Sequence, residues 1–189
     1  MRSKGLDIIV SDLQILIEGC LARDRASQRK VYEIFSPAMM GLCIRYAKNR
    51  EEAEEILQDG FLQTFKHIGQ FKNSGSFEGW LRKIMINSAL QRYRSQASLL
   101  RLIPVKEEHS LTYSEAGPED KMNEKDLIRL IHTLPPAYRL VFNLHVFEGM
   151  KHREIAQLLN ISEGTSKSNL FDARNFLKKH LVPELKLAK

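Results

Sequence analysis

Residues 151–181 read KHREIAQLLNISEGTSKSNLFDARNFLKKHL, a pattern that predicts two helices joined by a tight turn. Asn160 is expected to end the first helix, because asparagine enters the left-handed backbone region at low cost. Ser162 is expected to cap the second helix, since its hydroxyl can accept hydrogen bonds from the free amides of the next turn. Glu163 then places a negative charge at the positive end of that helix.

The second helix of this stretch carries apolar residues at spacings of three and four, which leaves a polar face on its other side. A helix with such a face can lie in the major groove of DNA as the recognition helix of a helix-turn-helix. The alternative is a plain helical hairpin whose outer face is solvated. The rest of the chain has to decide between the two. The apolar positions are Leu170, Ala173, Leu177 and Leu181.

The composition allows one ordinary domain or two small ones, because the chain has 189 residues. It carries 29 Lys and Arg against 23 Asp and Glu, which gives a net charge of +6. This excess suits a polyanionic partner. Cys20 and Cys43 lie in apolar helical patterns without a CxxC spacing, so we expect buried thiols of a reducing compartment and no metal site.

The N-terminal residues 1–14 lack the continuous apolar run of a signal peptide. Nor does any segment of the sequence approach the length needed to span a membrane. We therefore expect a soluble, cytoplasmic protein with no direct membrane insertion.

Helical periodicity recurs from end to end while strand signals are nearly absent, so the chain is predicted to be all-α. A short helix is expected over residues 8–20. A longer one is expected over residues 24–48, with Asn49 ending it. The apolar side of the first helix is predicted to comprise Leu13, Ile15, Leu16, Ile17 and Cys20.

The next predicted helix, EEAEEILQDGFLQTFKHIGQF over residues 51–71, begins with glutamates that suit the positive end of the helix dipole. One side supplies an apolar core stripe that includes Leu57 and Phe61. The other side is partly apolar and partly acidic. It suits a partner surface, although the residues alone favour a solvated face with one stray leucine. This flank consists of Gln58, Asp59, Leu62 and Gln63.

A basic helix is predicted over residues 77–96, FEGWLRKIMINSALQRYRSQ, after the flexible loop KNSGS at residues 72–76. It carries a polar stripe made of Lys83, Asn87, Gln91 and Arg94. Between residues 80 and 94 the cations Arg82, Lys83, Arg92 and Arg94 meet no carboxylate in the sequence. Such a face suits phosphate contacts combined with base stacking or amide readout, as on single-stranded nucleic acid. The alternative is a cationic solvated face. Trp80 is expected in the core or at its edge.

Residues 97–122 lose the helical pattern and are predicted to form a linker. Pro104 and Pro118 interrupt them, and three cations against five carboxylates give the segment a charge of about minus two. Beyond it, Pro135 and Pro136 separate KDLIRLIHTL from AYRLVFNLHVFEG, a helix predicted to end at Gly149. With the opening stretch, these helices complete a predicted four-helix module.

Three blocks in this order resemble an extracytoplasmic-function (ECF) sigma factor of the sigma-70 family. They are EEAEEILQDGFLQTF at 51–65, FEGWLRKIMINSALQRYR at 77–94, and LPPAYRLVFNLHVFEGMKHREIAQLLNISEGTSKSNLFDARNFLKK at 134–179. The resemblance implies sigma region 2 over residues 1–96, a linker over 97–122 and sigma region 4 over 123–189. It further implies a transcription initiation factor without catalytic residues, cofactor, metal or small-molecule substrate.

The resemblance also implies roles for particular residues. The first unit would dock on core RNA polymerase and would recognise and melt the minus-ten element of promoter DNA, with Asn87 cradling an extruded base. The second unit would read the minus-thirty-five element, and an anti-sigma factor would hold the protein inactive. The polymerase contacts implied are Leu57, Gln58, Asp59, Phe61 and Leu62, and the DNA contacts are Lys83, Asn87, Gln91, Arg94, Lys167, Ser168, Asn169, Phe171 and Arg174.

Asp172 departs from the family pattern, because many relatives carry a basic residue there. It could accept a hydrogen bond from a cytosine amino group. It could instead pair with Lys167 or Arg174 on the helix surface, which is the interpretation the sequence favours.

Two other function classes compete with a polymerase subunit. A free-standing helix-turn-helix regulator would need a dimerisation element to bind two half-sites, and none is evident in the sequence. A nucleic-acid enzyme would need clustered catalytic groups. The six histidines are scattered and are expected at the surface or in packing positions.

Overall fold

The computed structural model describes the backbone of residues 4–72, 74–100 and 124–187, and side chains over residues 12–72, 74–95 and 126–179. The chain divides into two compact units, Met1–Val105 and Lys106–Lys189. Within the described ranges every regular element is helical. The prediction of an all-α protein is therefore confirmed.

The first unit contains four helices. They are α1 (Lys4–Leu21), α2 (Arg25–Tyr46), α3 (Arg50–His67) and α4 (Phe77–Leu100), with a short 3-10 turn at Ile68–Gln70 after α3. Helix α3 packs against both α2 and α4, and α1 packs against α2. The core side chains include Met39, Leu42, Ile56, Leu81, Met85 and Leu90.

Side-chain caps set two of the helix starts in this unit. The carboxylate of Asp24 accepts from the backbone N–H of Ser27 at 2.8 Å, and its bonds to Ser27 hold the pKa of Asp24 below its usual value. Asn49 was expected to end α2, and this prediction is wrong. Its side chain accepts from the N–H of Glu52 at 2.9 Å, so Asn49 begins α3 instead.

One side-chain prediction in this unit is wrong, and one helix is longer than predicted. Ile15 was assigned to the apolar side of α1, yet it is 64% exposed. Helix α4 continues to Leu100, so the helical backbone extends past residue 97, where the linker was predicted to begin. Local apolar spacing cannot reveal the exposure of Ile15, because exposure depends on which neighbouring helix covers a face. The rest of the predicted linker, residues 101–122, lies outside the described residues.

Gly60 permits the close approach of α3 and α4. A Cβ atom at this position would lie 2.1 Å from the sulfur of Met85 and 2.8 Å from its methyl carbon. Met85 is completely buried, so its side chain could give way only by repacking within the core. The absence of a side chain at Gly60 therefore sets how closely these two helices pack.

The second unit contains α5 (Glu124–His132), α6 (Pro136–Phe142), α7 (His152–Leu159) and α8 (Glu163–Leu187). Helix α6 continues directly into a π-helical turn at Asn143–Phe147. Pro136 occupies the first turn of α6, where a missing N–H costs nothing, and Gly149 ends the segment with a φ of 68°. Helix α8 packs against α5, α6 and α7. The core of the second unit includes Ile131, Leu134, Val141, Leu144, Ile155 and Leu170.

Both cysteines are buried thiols, as predicted. Burial raises the pKa of Cys20 to about 11 and the pKa of Cys43 to about 12. At neutral pH both groups remain protonated and unreactive.

Candidate nucleic-acid and protein interfaces

Helix α4 exposes one continuous polar face. Its buried side includes Leu81 and Met85, which lie in the core of the first unit. The predicted stripe lies on the exposed side and follows the helical repeat of three and four residues. The structure thus brings together all four residues selected from the sequence, and each is solvent-exposed: Lys83, Asn87, Gln91 and Arg94.

Arg92 does not belong to an unopposed basic face. Its Nε lies 3.6 Å from Oε1 of Glu52, its Nη1 lies 3.8 Å from Oδ2 of Asp59, and its Nη2 contacts the carboxylate of Glu55. All three carboxylates belong to α3. The prediction that no acid opposes the cations of this helix is therefore wrong at Arg92, because its partners are distant in sequence.

A cavity of about 320 Å³ lies beside the start of α4. The aromatic rings of Phe71 and Trp80 form part of its wall, with centroids 5.6 Å apart, and Trp80 is half-buried as predicted. Sequence analysis did not select Phe71, although an aromatic residue directly before a turn-forming loop was a usable signal. The described lining residues are Gln70, Phe71, Lys72, Ser74, Gly75, Ser76, Gly79, Trp80 and Lys83.

The flank predicted on α3 divides into exposed and buried residues. Gln58 and Asp59 are exposed, and Leu62 is 67% exposed. Leu57 and Phe61 are each only 3% exposed, so they cannot themselves meet a partner at this surface. They support the flank from the core, since apolar residues on the inner face of a helix fix the position of its outer face.

The turn between α7 and α8 has the predicted geometry. Asn160 adopts φ 55° and ψ 49° in the left-handed region. The N–H of Ile161 donates to the carbonyl of Ala156 at 3.0 Å, which closes α7. The hydroxyl of Ser162 accepts from the N–H of Thr165 at 2.9 Å and caps α8. Both capping predictions are confirmed.

The outward face of α8 carries the residues expected from the sequence. Lys167, Ser168 and Arg174 are exposed, and Phe171 is 64% exposed, whereas Asn169 is half-buried. Nζ of Lys167 lies 2.9 Å from Oε1 of Glu163, and this bond lowers the pKa of Glu163. The cation and its partner are one helical turn apart, so the interaction is local.

A polar contact that sequence reasoning missed joins α7 to α8. Ser166 is completely buried, and its hydroxyl bonds Nδ1 of His152 at 2.9 Å. The ring of His145 stacks on His152 with centroids 4.6 Å apart, and Nδ1 of His145 donates to the carbonyl of Met150 at 2.9 Å. Burial, then His145 and Lys167, lower the pKa of His152. The available signal was a serine four residues before Leu170, within the buried stripe.

The predicted pairing of Asp172 is wrong. Lys167 is bound to Glu163, and Arg174 is two residues away, a spacing at which helical side chains do not face each other. Among the described residues, no ion pair involves Asp172.

Two features are absent from the described residues. No group of three or more His, Cys, Asp or Glu side chains there could hold a metal ion. No helix in that part of the chain is both long and apolar enough to cross a membrane.

Comparisons with known proteins identify the family. Residues 31–99 match the family model for sigma-70 region 2, and residues 124–177 match that for sigma-70 region 4. The chain is 30% identical to the ECF RNA polymerase sigma factor SigW of Bacillus subtilis over 169 residues, which cover 84% of this chain and 90% of SigW. It is 26% identical to the RNA polymerase sigma-H factor of Pseudomonas aeruginosa, over 93% of this chain and 96% of that protein.

A solved structure shows the same fold. The sigma factor RpoE of Bartonella quintana, solved in complex with the anti-sigma factor NepR, matches with a TM-score of 0.52 and 20% identity. The match covers 85% of this chain and 98% of that one. From its two sigma-70 regions and its relatives, the chain belongs to the ECF sigma factors of the sigma-70 family.

Proposed function

We propose that this chain binds core RNA polymerase, recognises promoter DNA through both of its units and so initiates transcription. The observation that carries the proposal is the exposed polar stripe of α4 beside an aromatic-walled cavity. A stripe of amides and cations suits contacts to nucleic-acid backbone and bases, and an adjacent cavity can hold a base removed from the stack. Family membership supports the same role.

The first unit recognises and melts the minus-ten element in this proposal. Lys83 and Arg94 bind phosphate, while Asn87 and Gln91 read displaced bases. Flipping a base costs a few kcal/mol, which contacts to the single strand must offset. The cavity, about 320 Å³, reaches the lower end of the roughly 300–1,000 Å³ typical of ligand pockets, and Phe71 supplies an aromatic surface for stacking.

The flank on α3 binds core polymerase in the same proposal. Its outward members, Gln58, Asp59 and Leu62, make the contact, while Leu57 and Phe61 hold the helix in place from the core. An exposed leucine surrounded by polar residues has the mixed character of a protein interface.

The second unit reads the minus-thirty-five element through α8. The proposed contacts share the outward side or the edges of that helix, so they can reach a single groove. They are Lys167, Ser168, Asn169, Phe171 and Arg174.

Family membership supports three further parts of the proposal, which concern whole segments of the chain, its location and its regulation. Residues 1–96, 97–122 and 123–189 act as region 2, linker and region 4. The protein works in the cytoplasm, with no catalytic chemistry, cofactor or small-molecule substrate of its own. An anti-sigma factor holds it inactive, which co-purification from its native cells would test.

The deciding experiment is run-off transcription from candidate promoters by core polymerase, with and without the protein. We expect specific transcripts only when both are present. Tight sequence-specific DNA binding by the protein alone, with no gain in initiation, would instead identify a free-standing helix-turn-helix regulator.

The role of Asn87 is tested by separating two steps of initiation. Asn87→Ala should lower open-complex formation more than closed-complex binding, because its base contact exists only after melting. Gln28→Ala, which removes an amide from α2 outside the stripe, serves as the control and should change neither step. An equal loss at both steps would refute the assigned role.

A further inference from the structure

We propose that Asp172 reads a cytosine in the upstream promoter element, and this inference rests on the proposed role of α8 as a groove-reading helix. Asp172 is a carboxylate on a helix whose other outward residues suit DNA. A negative charge close to phosphates is unfavourable unless a hydrogen-bond donor meets it. A carboxylate at position 172 is therefore compatible with DNA binding only if a hydrogen-bond donor on the DNA meets it.

The buried stripe of α8 shows which way Asp172 points. Ser166, Leu170, Ala173 and Leu177 are buried, at spacings of four, three and four residues. With 3.6 residues per turn, the opposite side of the helix carries Ser168, Phe171, Asp172 and Asn175. Phe171, the immediate neighbour of Asp172, is 64% exposed, and Asp172 itself is half-buried, so its carboxylate lies beside the exposed ring on this side of the helix.

Within the described part of α8, Asp172 has no cation to neutralise it. Lys167 is bound to Glu163 at 2.9 Å. Arg174 lies at the edge of the buried stripe, two residues from Asp172, where the two side chains diverge. Among the described residues, no hydrogen bond or ion pair engages the Asp172 carboxylate. Its acceptor capacity is therefore available for DNA.

The edges of the base pairs in the major groove select one partner for this carboxylate. An ionised carboxylate is only an acceptor, and guanine and thymine present acceptors there. Adenine offers an amino donor but places the N7 acceptor beside it, which repels a carboxylate. Cytosine itself presents only its amino donor in this groove, and aspartate is one of its usual partners. Asp172 therefore discriminates in favour of cytosine.

The same carboxylate also limits binding to other sequences. Over any other base it would be desolvated without a donor and would remain close to phosphates. Asp172 thus lowers the affinity for DNA in general and raises the discrimination between sequences. A cation in this position would strengthen binding to every sequence.

The test uses holoenzyme reconstituted from core polymerase and full-length protein, on a promoter library with a randomised upstream element and all other positions constant. The wild type should prefer cytosine about tenfold at one position, the range of one good side-chain contact to a base. Asp172→Ala should lose that preference, keep the preferences at other positions and bind non-specific DNA more tightly. Asp172→Asn should shift the preference towards adenine, because asparagine pairs with adenine N6 and N7.

Lys178→Ala is the matched control, because it removes an exposed charge further along the same helix. It should weaken binding to all sequences without changing any base preference. Identical base preferences in the wild type and both Asp172 variants would overturn the inference while leaving the groove-reading role of α8 intact. A wild type without any preference in the upstream element would overturn that role, and the inference with it.

Discussion

Helices α4 and α8 both present a polar face, but the cations on the two helices are paired differently. Each buries an apolar side in its own unit and exposes a polar side that suits DNA. On α8, Lys167 is paired by Glu163, one turn earlier in the same helix. On α4, Arg92 is paired by Glu52, Glu55 and Asp59, which all belong to α3. The net charge of a helix face therefore follows from its own sequence only where the ion-pair partners lie on the same helix, as on α8.

The two polar faces also differ in the contacts that hold them in place. The face of α8 depends on its own first turn, where Ser162 caps the helix. The face of α4 depends on how α4 sits on α3, where Gly60 and Met85 meet and Arg92 bridges the helices. Changes in α3 should therefore alter α4, whereas changes in the turn before α8 should stay within the second unit.

The largest expected effect comes from Gly60→Ala, which would separate α4 from α3. The new Cβ would collide with the buried Met85 side chain, so we expect a loss of about 1–3 kcal/mol in unfolding free energy. Urea unfolding followed by the fluorescence of Trp80, the single tryptophan, reports on this unit.

Gly41→Ala is the matched control for this change. Gly41 lies inside α2, and among the described residues no atom beyond its chain neighbours and the adjoining helix backbone lies within 4 Å of an added Cβ. Alanine there should stabilise by about 0.5–1 kcal/mol, because it reduces the entropy cost of forming the helix. Equal effects of the two substitutions would contradict the close contact between Gly60 and Met85.

Arg92→Ala gives the next largest effect. It directly tests whether Arg92 stabilises the packing of α4 on α3 or contacts DNA. The change removes the Arg92 cation from Glu52, which has only 9% of its side chain exposed. We expect a loss of about 1–2 kcal/mol in unfolding free energy, less than for a fully buried pair. The salt dependence of promoter binding by the holoenzyme should not change.

Lys83→Ala should give the opposite result. Lys83 is exposed, so its loss should leave stability unchanged but reduce the slope of log affinity against log salt concentration by about one. A similar reduction for Arg92→Ala would mean that Arg92 contacts phosphate, and the comparison between α4 and α8 would then fail.

Ser162→Ala should cost about 1 kcal/mol, confined to the second unit, because it removes the cap of α8. Amide hydrogen exchange in the first turn of α8 measures the effect. Ser168→Ala is the control, since its exposed hydroxyl donates to the carbonyl of Thr165 within the same helix and makes no other bond in the described part of the chain. Faster exchange in the first unit as well would show that the two faces are not independent.

The smallest expected effect is a pH dependence of the second unit. The folded state lowers the pKa of His152, chiefly through burial and the neighbouring His145. The unfolded chain therefore takes up this proton first, so the contribution to stability is complete above pH about 6.5 and decreases as the pH falls through the folded pKa. Thermal unfolding between pH 7.5 and 5.5 should show a decline that His152→Gln reduces. His67→Gln in the first unit should leave this decline unchanged.

Much of the candidate surface could be predicted because helix periodicity is a local property. The stripe from Lys83 to Arg94 and the outward residues of α8 follow from spacings of three and four. The exposed part of the α3 flank followed for the same reason, and Leu62 is indeed exposed. The contact between His152 and Ser166 could not be predicted, since it spans the turn and requires both helices to be in place.

The sequence by itself determined the helical class, the left-handed residue Asn160 and the cap at Ser162, because each depends on neighbours within a few residues. Only the tertiary structure decided that Arg92 is neutralised by α3, that Leu57 and Phe61 lie beneath their flank, and that a cavity opens beside Trp80. These features arise where helices meet. Burial and electrostatic pairing depend on distance in space, which the order of residues along the chain does not reveal.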